Sequence, residues 1–128
     1  MTRKGIYTDN APAAIGPYQQ GIRVGNWVFT SGQIALDPAT GNFMAGEIEQ
    51  ETELTLKNIE AILQAEGLSM DHVVKATVYL SDMNHFVRMN QVYEKCFATS
   101  KPARACVQVA ALPKGAKVEI DVIAAANG

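Results

Sequence analysis

The chain has 128 residues, which is enough for one domain with a buried core and too few for two, so we expect a single domain over residues 1–128. Its 11 basic and 13 acidic residues give a formal net charge of −2. Because no run of Lys or Arg provides the basic stripe that collects phosphates, we expect no nucleic-acid partner. No run of about 18 apolar residues occurs either, so we expect no membrane span.

Cysteine usage and the N-terminal residues indicate a cytoplasmic protein. Cys96 and Cys106 are too few for a disulfide scaffold and lack CxxC spacing. Arg3 and Lys4 are not followed by the apolar segment that a secretory signal requires. We therefore predict a cytoplasmic location with reduced thiols, and we assign Cys96 to helix packing.

The first predicted elements are a β-hairpin and a long helix. Residues 20–24 and 27–31 have strand composition and are joined by Gly25-Asn26, which tolerates the positive φ of a two-residue turn. Apolar residues recur at helical spacing over 47–66, and acidic residues crowd the first turns, so a helix is expected there. Gly67 is typical of a Schellman stop after that helix.

The second half predicts three strands and one more helix. Residues 73–80 alternate apolar and polar side chains, as a strand does. Asp82 is a candidate cap for a second helix. The apolar stripe of that helix consists of Phe86, Met89, Tyr93 and Phe97. Two further strands are predicted over 103–110 and 117–125.

About six strands and two helices predict an α+β fold in which a mixed sheet carries both helices on one face, because two helices cannot cover two faces. The other face is expected to mix apolar and charged side chains. It would carry Val73, Tyr79, Lys117, Glu119, Asp121 and Ile123. A half-apolar exposed face is typical of an interaction surface, so we expect a homo-oligomer.

The sequence contains no motif for a metal, a nucleotide or a serine nucleophile. No cluster of His, Cys, Asp and Glu has metal-ligand spacing, and Ser31 does not lie in a GxSxG motif. His72 and His85 are the only histidines, and we interpret both as solvated residues at helix starts or in loops. We therefore predict neither metal nor cofactor.

The predicted strand 103–110 contains an arginine among apolar residues. Arg104 and Cys106 share one face of this strand, because side chains alternate. A guanidinium inside a sheet is costly unless an anion meets it. That anion is either a protein carboxylate, from Glu119 or Asp121, or the carboxylate of a ligand, which matches a guanidinium as a two-pronged pair. The strand pattern leaves both alternatives open.

Several co-linear stretches carry a resemblance to a known family. They are NAPAAIGPY at 10–18, TSGQI at 30–34, NQVYE at 90–94, PARACV at 102–107, AAL at 110–112 and VEI at 118–120. Together they resemble the RidA (YjgF) family of enamine/imine deaminases, over essentially the whole chain. The resemblance implies a chorismate-mutase-like fold and a homotrimer whose sheets line a central barrel, with active sites in the clefts between subunits.

The same resemblance implies roles for individual residues. Arg104 would pair with the substrate carboxylate. The cleft would be lined by Tyr18, Ser31, Gly32 and Asn90, with Cys106 and Glu119 near the reacting carbon and water. The implied reaction converts 2-aminoacrylate, 2-iminopropanoate or 2-iminobutanoate to a 2-oxo acid and ammonia.

Residue patterns alone also fit plainer interpretations of these positions. Tyr18 equally fits packing at the entry to the first hairpin, and Ser31-Gly32 fits a strand that ends in a turn. Asn90 lies off the apolar stripe of its helix and fits a surface polar residue. Cys106 fits a small buried residue, and no histidine is patterned to activate it as a nucleophile.

Two other functions remain open at this point. A trimer that binds small carboxylates such as 2-oxo acids without turnover would use the same arginine, but it would not need Glu119. An RNA-active translation inhibitor, a role associated with parts of the family, is opposed by the acidic charge balance.

Overall fold

The computed structural model describes residues 2–126; residues 1, 127 and 128, at the ends of the predicted domain, lie outside the described residues. The strands and helices, in chain order, are β1 (Arg3–Ile6), β2 (Gly21–Val24), β3 (Trp27–Thr30), α1 (Ile48–Gln64), β4 (Val73–Leu80), α2 (Phe86–Phe97), β5 (Ala103–Gln108) and β6 (Val118–Ala125). The described chain thus confirms the α+β class with six strands and two α-helices.

The strands form one mixed sheet in the order β1-β2-β3-β6-β4-β5. Only β4 and β5 pair in parallel, across the α2 crossover; the other pairs are antiparallel. The sequence pattern located five strands and missed β1, because Arg3, Lys4 and Gly5 offer no apolar alternation. Their exposure follows from the position of β1 at one edge of the sheet.

Both helices pack on the same face of the sheet, as predicted. The fully buried side chains of this layer include Leu56, Ile59 and Ile62 from α1, Met89 from α2, and Val78, Leu80, Val118 and Ile120 from the sheet. Cys96 also packs against this core, which confirms its assignment to helix packing. The helix layer leaves the opposite face of the sheet bare in the described chain.

Local signals set the ends of the elements. Gly25 has a φ of 59° in the first hairpin, and Gly67 has a φ of 72° after α1, as both turns require. The start of α2 differs from the prediction. Asp82 accepts a hydrogen bond from the backbone of Asn84 and caps a single 3-10 turn at residues 83–85, which runs directly into α2.

The bare face is half apolar, which confirms the alternation predicted for the last strand from residue 118 onward. Trp27, Phe29 and Val107 are 46%, 42% and 43% exposed there, and they share the face with Glu119 and Asp121. Exposed aromatic side chains at this density on a sheet are typical of an interaction surface.

The prediction that Val73 lies on the bare face is wrong. A register shift between Val73 and Lys75 marks a bulge at the start of β4. An extra residue in one strand exchanges the faces on either side of it. Val73 is therefore buried in the core, and Val74 is 42% exposed instead. Lys117, also predicted on the bare face, instead lies just before β6 and contacts Glu51 on the helix side.

Candidate functional site

Arg104 lies on β5 at an edge of the sheet, on the face that carries the helices. The premise that this arginine sits inside a sheet is wrong, because β5 pairs only with β4 and leaves its other side open. The Arg104 side chain is exposed and turns toward α2. Four side chains of α2 surround it: Phe86, Asn90, Tyr93 and Glu94. We call these five residues the arginine group.

Helical spacing explains why α2 can hold this guanidinium. Phe86, Asn90 and Tyr93 are four and three residues apart, so they lie on one face of the helix. The guanidinium carbon of Arg104 lies 4.7 Å from the ring centroid of Tyr93 and 5.4 Å from that of Phe86, within the range of cation–π attraction. Tyr93 is itself 6% exposed, so the ring that carries the arginine is fixed in the core.

One hydrogen bond completes the placement of the guanidinium. Arg104 Nη1 donates to Asn90 Oδ1 at 2.5 Å, and Asn90 Nδ2 donates to Glu94 Oε1 at 3.0 Å. The plain interpretation of Asn90 as a surface polar residue is therefore incomplete, because its side chain joins two others. An arginine has five N–H donors, and the bond to Asn90 uses one of them.

The guanidinium carries no salt bridge to any carboxylate of residues 2–126. Of the two open alternatives, the internal pair with Glu119 or Asp121 is therefore wrong. The reason is geometric: Arg104 is on the helix face of the sheet, whereas both carboxylates are on the bare face. The remaining donors face an open groove that Lys101 and Pro102 also line.

Cys106 follows Arg104 on the same face of β5, where it is half-buried against the core. Burial raises the pKa of its thiol, and the nearby Arg104 lowers that pKa by a smaller amount. A raised pKa keeps the sulfur protonated at neutral pH, and a thiol is a poor nucleophile. The geometry fits a small packing residue beside the arginine group.

The other predicted residues gather at a second place. Tyr18, Gly32 and Glu119 line a cavity of about 470 Å³. Its walls are mostly apolar and include Pro12, Ile15, Ile34, Leu36, Pro38 and Pro113. Ser31 lies beside this cavity and lines a neighbouring groove together with Tyr18. We call Tyr18, Ser31, Gly32 and Glu119 the glutamate group.

The Glu119 carboxylate lies directly over Gly32. A Cβ atom at residue 32 would come within 2.1 Å of Glu119 Oε2, so any side chain there must displace the carboxylate. Burial raises the pKa of Glu119, and the negative charge of Asp121 raises it further. Among the described residues, no side chain or backbone group donates a hydrogen bond to the Glu119 carboxylate. A half-buried carboxyl of this kind can exchange protons closer to neutral pH than an exposed one.

Gln20, which no sequence pattern singles out, lines the same cavity and fixes the loop at residues 8–12 beside the glutamate group. Its side chain is 2% exposed, and Nε2 donates to the carbonyls of Pro12 at 2.8 Å and Thr8 at 3.0 Å. The backbone carbonyl of Gln20 accepts a hydrogen bond from the backbone N–H of Ser31 at 2.9 Å. No sequence signal separates this residue from Gln19, whose carbonyl accepts from the Ser31 hydroxyl. The Ser31 hydroxyl is therefore already engaged in a hydrogen bond to the backbone.

The two groups do not meet within one chain. Glu119 on β6 and Arg104 on β5 are separated by β4, a span of two strand spacings or roughly 10 Å, and they point to opposite faces. The structure therefore brings Arg104 to Asn90 and Cys106, and it brings Glu119 to Gly32 and Tyr18. It does not bring these two sets together.

Within residues 2–126 no three His, Cys, Asp or Glu side chains are placed to share a metal ion. His72 accepts a hydrogen bond from the Ser69 amide at Nδ1, 3.0 Å away, and neither it nor His85 lines the arginine or glutamate group. Over the same residues, no helix combines the length and the apolar character needed to cross a bilayer.

Fold and site together define a class: a small α+β protein with one bare sheet face, an arginine open to a carboxylate, and a separate glutamate over an apolar cavity. Residues 8–126 match the family described as Endoribonuclease L-PSP. The chain belongs to this family, the YjgF/RidA family, which confirms the resemblance found in the sequence.

Three similar proteins illustrate the family. A RutC family protein of Pyrococcus horikoshii is 52% identical over 93% of this chain and 94% of its own. A mouse protein named 2-iminobutanoate/2-iminopropanoate deaminase is 49% identical over 97% of this chain and 92% of its own. The solved structure of E. coli TdcF with bound serine has a TM-score of 0.89 and 46% identity, and the match covers 95% of this chain and 98% of TdcF.

Proposed function

We propose that this protein hydrolyses small 2-imino acids, such as 2-iminopropanoate and 2-iminobutanoate, to 2-oxo acids and ammonia. The observation that carries the proposal is the Arg104 guanidinium, which is held by two aromatic rings and one amide and has no carboxylate partner in residues 2–126. A fixed guanidinium with free N–H donors suits a planar carboxylate. The similar mouse protein carries the name of this activity.

We further propose that the active protein is a homotrimer in which the arginine group of one copy meets the glutamate group of the next. A contact between two different surfaces is heterologous, and it closes into a ring when the rotation from one copy to the next is a whole fraction of a turn, as in a trimer. The bare sheet face, with Trp27, Phe29 and Val107 exposed, supplies the apolar area for such an assembly. In that arrangement, each complete site combines the arginine group of one copy with the glutamate group of its neighbour.

The proposed reaction needs positioning more than strong chemistry. Arg104 binds the substrate carboxylate and so orients the adjacent C=N carbon. Water adds to that carbon to form a carbinolamine, one proton reaches the nitrogen, and ammonia leaves as the C=O bond forms. Glu119 of the neighbouring copy positions the water and carries the proton, and its raised pKa brings it closer to the working pH.

The rival function is binding of small carboxylates without turnover, and it would use the same arginine. The solved TdcF structure holds serine, an amino acid with a carboxylate, which fits either function. We do not propose the endoribonuclease activity after which the family is named. A net charge of −2 and the absence of a Lys/Arg run leave little to collect RNA phosphates.

The test generates 2-iminopropanoate from serine with a pyridoxal-phosphate-dependent dehydratase and follows pyruvate formation with and without this protein. Wild type should accelerate the step. Arg104→Ala should lower kcat/KM by about 10- to 150-fold, the loss of a charge-assisted pair worth about 1.5–3 kcal/mol. The matched control is Arg88→Ala, because Arg88 is an α2 arginine already occupied by Glu47 and Glu49. Pyruvate binding without acceleration would instead establish the rival function.

A further inference from the structure

We propose that Glu94 is a positioning residue that acts through Asn90 to hold Arg104 ready for a carboxylate. The inference rests on the proposed role of Arg104 in carboxylate binding. It assigns Glu94 no contact with the substrate. Glu94, Asn90 and Arg104 form a continuous chain of two hydrogen bonds, and Glu94 acts at its far end.

The chemistry of the three side chains fixes the direction of this chain. An ionised carboxylate only accepts hydrogen bonds, and a guanidinium only donates them. The Asn90 amide between them therefore has one satisfactory orientation, with Nδ2 toward Glu94 at 3.0 Å and Oδ1 toward Arg104 at 2.5 Å. Turned by 180°, the amide would oppose donor to donor at Arg104 and acceptor to acceptor at Glu94. Glu94 thus selects the amide orientation that Arg104 needs.

The framework beneath this chain is rigid. Asn90 and Glu94 are four residues apart on α2, which is the spacing at which helical side chains touch. The buried residues Met89, Tyr93 and Phe97, on the adjoining face of the same turns, anchor α2 to the core. Glu94 forms no salt bridge with a Lys or Arg of residues 2–126, so its hydrogen bond to Asn90 is its one polar side-chain contact there.

A competing effect sets the design of the test. Glu94 lines the same groove as Arg104, so its negative charge also repels an incoming carboxylate. Across several ångströms of water-filled groove that repulsion changes affinity by about threefold or less, and salt screens it. Loss of an oriented hydrogen bond changes affinity by about fivefold. The two effects have opposite signs, and two substitutions at Glu94 separate them.

Glu94→Ala removes both the charge and the acceptor, whereas Glu94→Gln removes the charge and keeps an acceptor oxygen. Pyruvate serves as the probe ligand, because it carries the carboxylate and is not turned over. With Glu94→Ala, the fivefold loss is offset in part by relief of the repulsion, so the Kd for pyruvate and the KM for 2-iminopropanoate should both rise about two- to fivefold, while kcat changes less than about twofold. With Glu94→Gln, the Kd should stay within about twofold of wild type or fall. Gln91→Ala, at an exposed α2 position, is the matched control and should match wild type.

Any one of three results overturns the inference. If Glu94→Ala binds pyruvate as tightly as wild type or more tightly, Glu94 acts only as a repelling charge. If Glu94→Gln loses as much affinity as Glu94→Ala, amide orientation is not what Glu94 supplies. Absence of pyruvate binding by wild type also counts against it. Because these measurements concern binding, an inactive wild type that binds pyruvate defeats the proposed function and still leaves the Glu94 test decisive.

Discussion

The arginine group and the glutamate group are built in opposite ways. Around Arg104, every contact fixes a charge in place while its remaining donors stay open: two rings below it, one amide beside it, and a carboxylate behind the amide. Near Glu119, Gln20 fixes the neighbouring loop at residues 8–12, and the carboxylate itself has no donor among the described residues. One group suits the binding of an anion, and the other suits the transfer of a proton.

Under the proposed function, this difference leaves each chain with two parts of a site rather than one complete site. Arg104 extends from the edge strand toward the helices, whereas Glu119 extends from an interior strand toward the bare face. A substrate of three or four carbons cannot span opposite faces of one sheet. Under the proposed function, substitutions should therefore separate binding from proton transfer, and turnover should need two copies.

Glu119→Gln should have the largest effect, and it should fall on turnover. A general acid–base residue contributes about 10²–10⁴-fold, so kcat should fall by at least about 100-fold. The Kd for pyruvate should change by less than about threefold, because Arg104 is untouched. End-point assays of 2-oxo acid formation measure kcat, and calorimetric titration with pyruvate measures the Kd. A large loss of pyruvate affinity with unchanged kcat would reverse the roles given to the two groups.

Asn90→Asp should have the next largest effect, and it should fall on binding. It places a carboxylate against Arg104 Nη1, where the amide oxygen now accepts. The internal ion pair then competes with the substrate carboxylate, and the Kd for pyruvate should rise about tenfold or more. Asn90→Ser, which loses the bond without adding charge, is the control and should lose less. Equal losses for both variants would contradict competition by the new charge.

The smallest predicted effect is on the pH profile. Burial and, secondarily, Asp121 raise the pKa of Glu119, so kcat/KM should increase with pH through a pKa above the ordinary carboxyl range. Asp121→Asn removes the repelling charge and should move this limb to lower pH. The shift should be partial, because burial is the larger cause. A limb that stays in place, or that survives in Glu119→Gln, would assign the titration to another group.

Much of the fold could be predicted because the deciding signals are local. Gly25 marks the hairpin turn, Gly67 ends α1, and the alternation in 118–122 gives the two sides of β6. The bulge that exchanges Val73 and Val74 could not be predicted, since it depends on the register with a strand about 50 residues later.

The candidate site residues came from the family resemblance as a set, and their arrangement could not be predicted from the sequence. Alternation along β5 placed Arg104 and Cys106 on one side, yet it could not tell which side, nor that β5 is an edge strand. Sequence order alone therefore left an Arg104–Glu119 pair open, although the two side chains lie on opposite faces. Gln20 was missed because the four hydrogen bonds of its side chain all go to backbone groups of one loop. Backbone partners can belong to any residue type, so they leave no pattern in the sequence.

The central claim is that each site takes Arg104 from one copy and Glu119 from another, and mixing two inactive variants tests it most directly. Arg104→Ala and Glu119→Gln chains are co-expressed with different tags, and mixed oligomers are isolated. Each mixed trimer holds both native residues at one of its three sites, so the activity of the isolated mixed trimers should return to about a third of wild type. Mixed oligomers that are no more active than their parents would contradict the account.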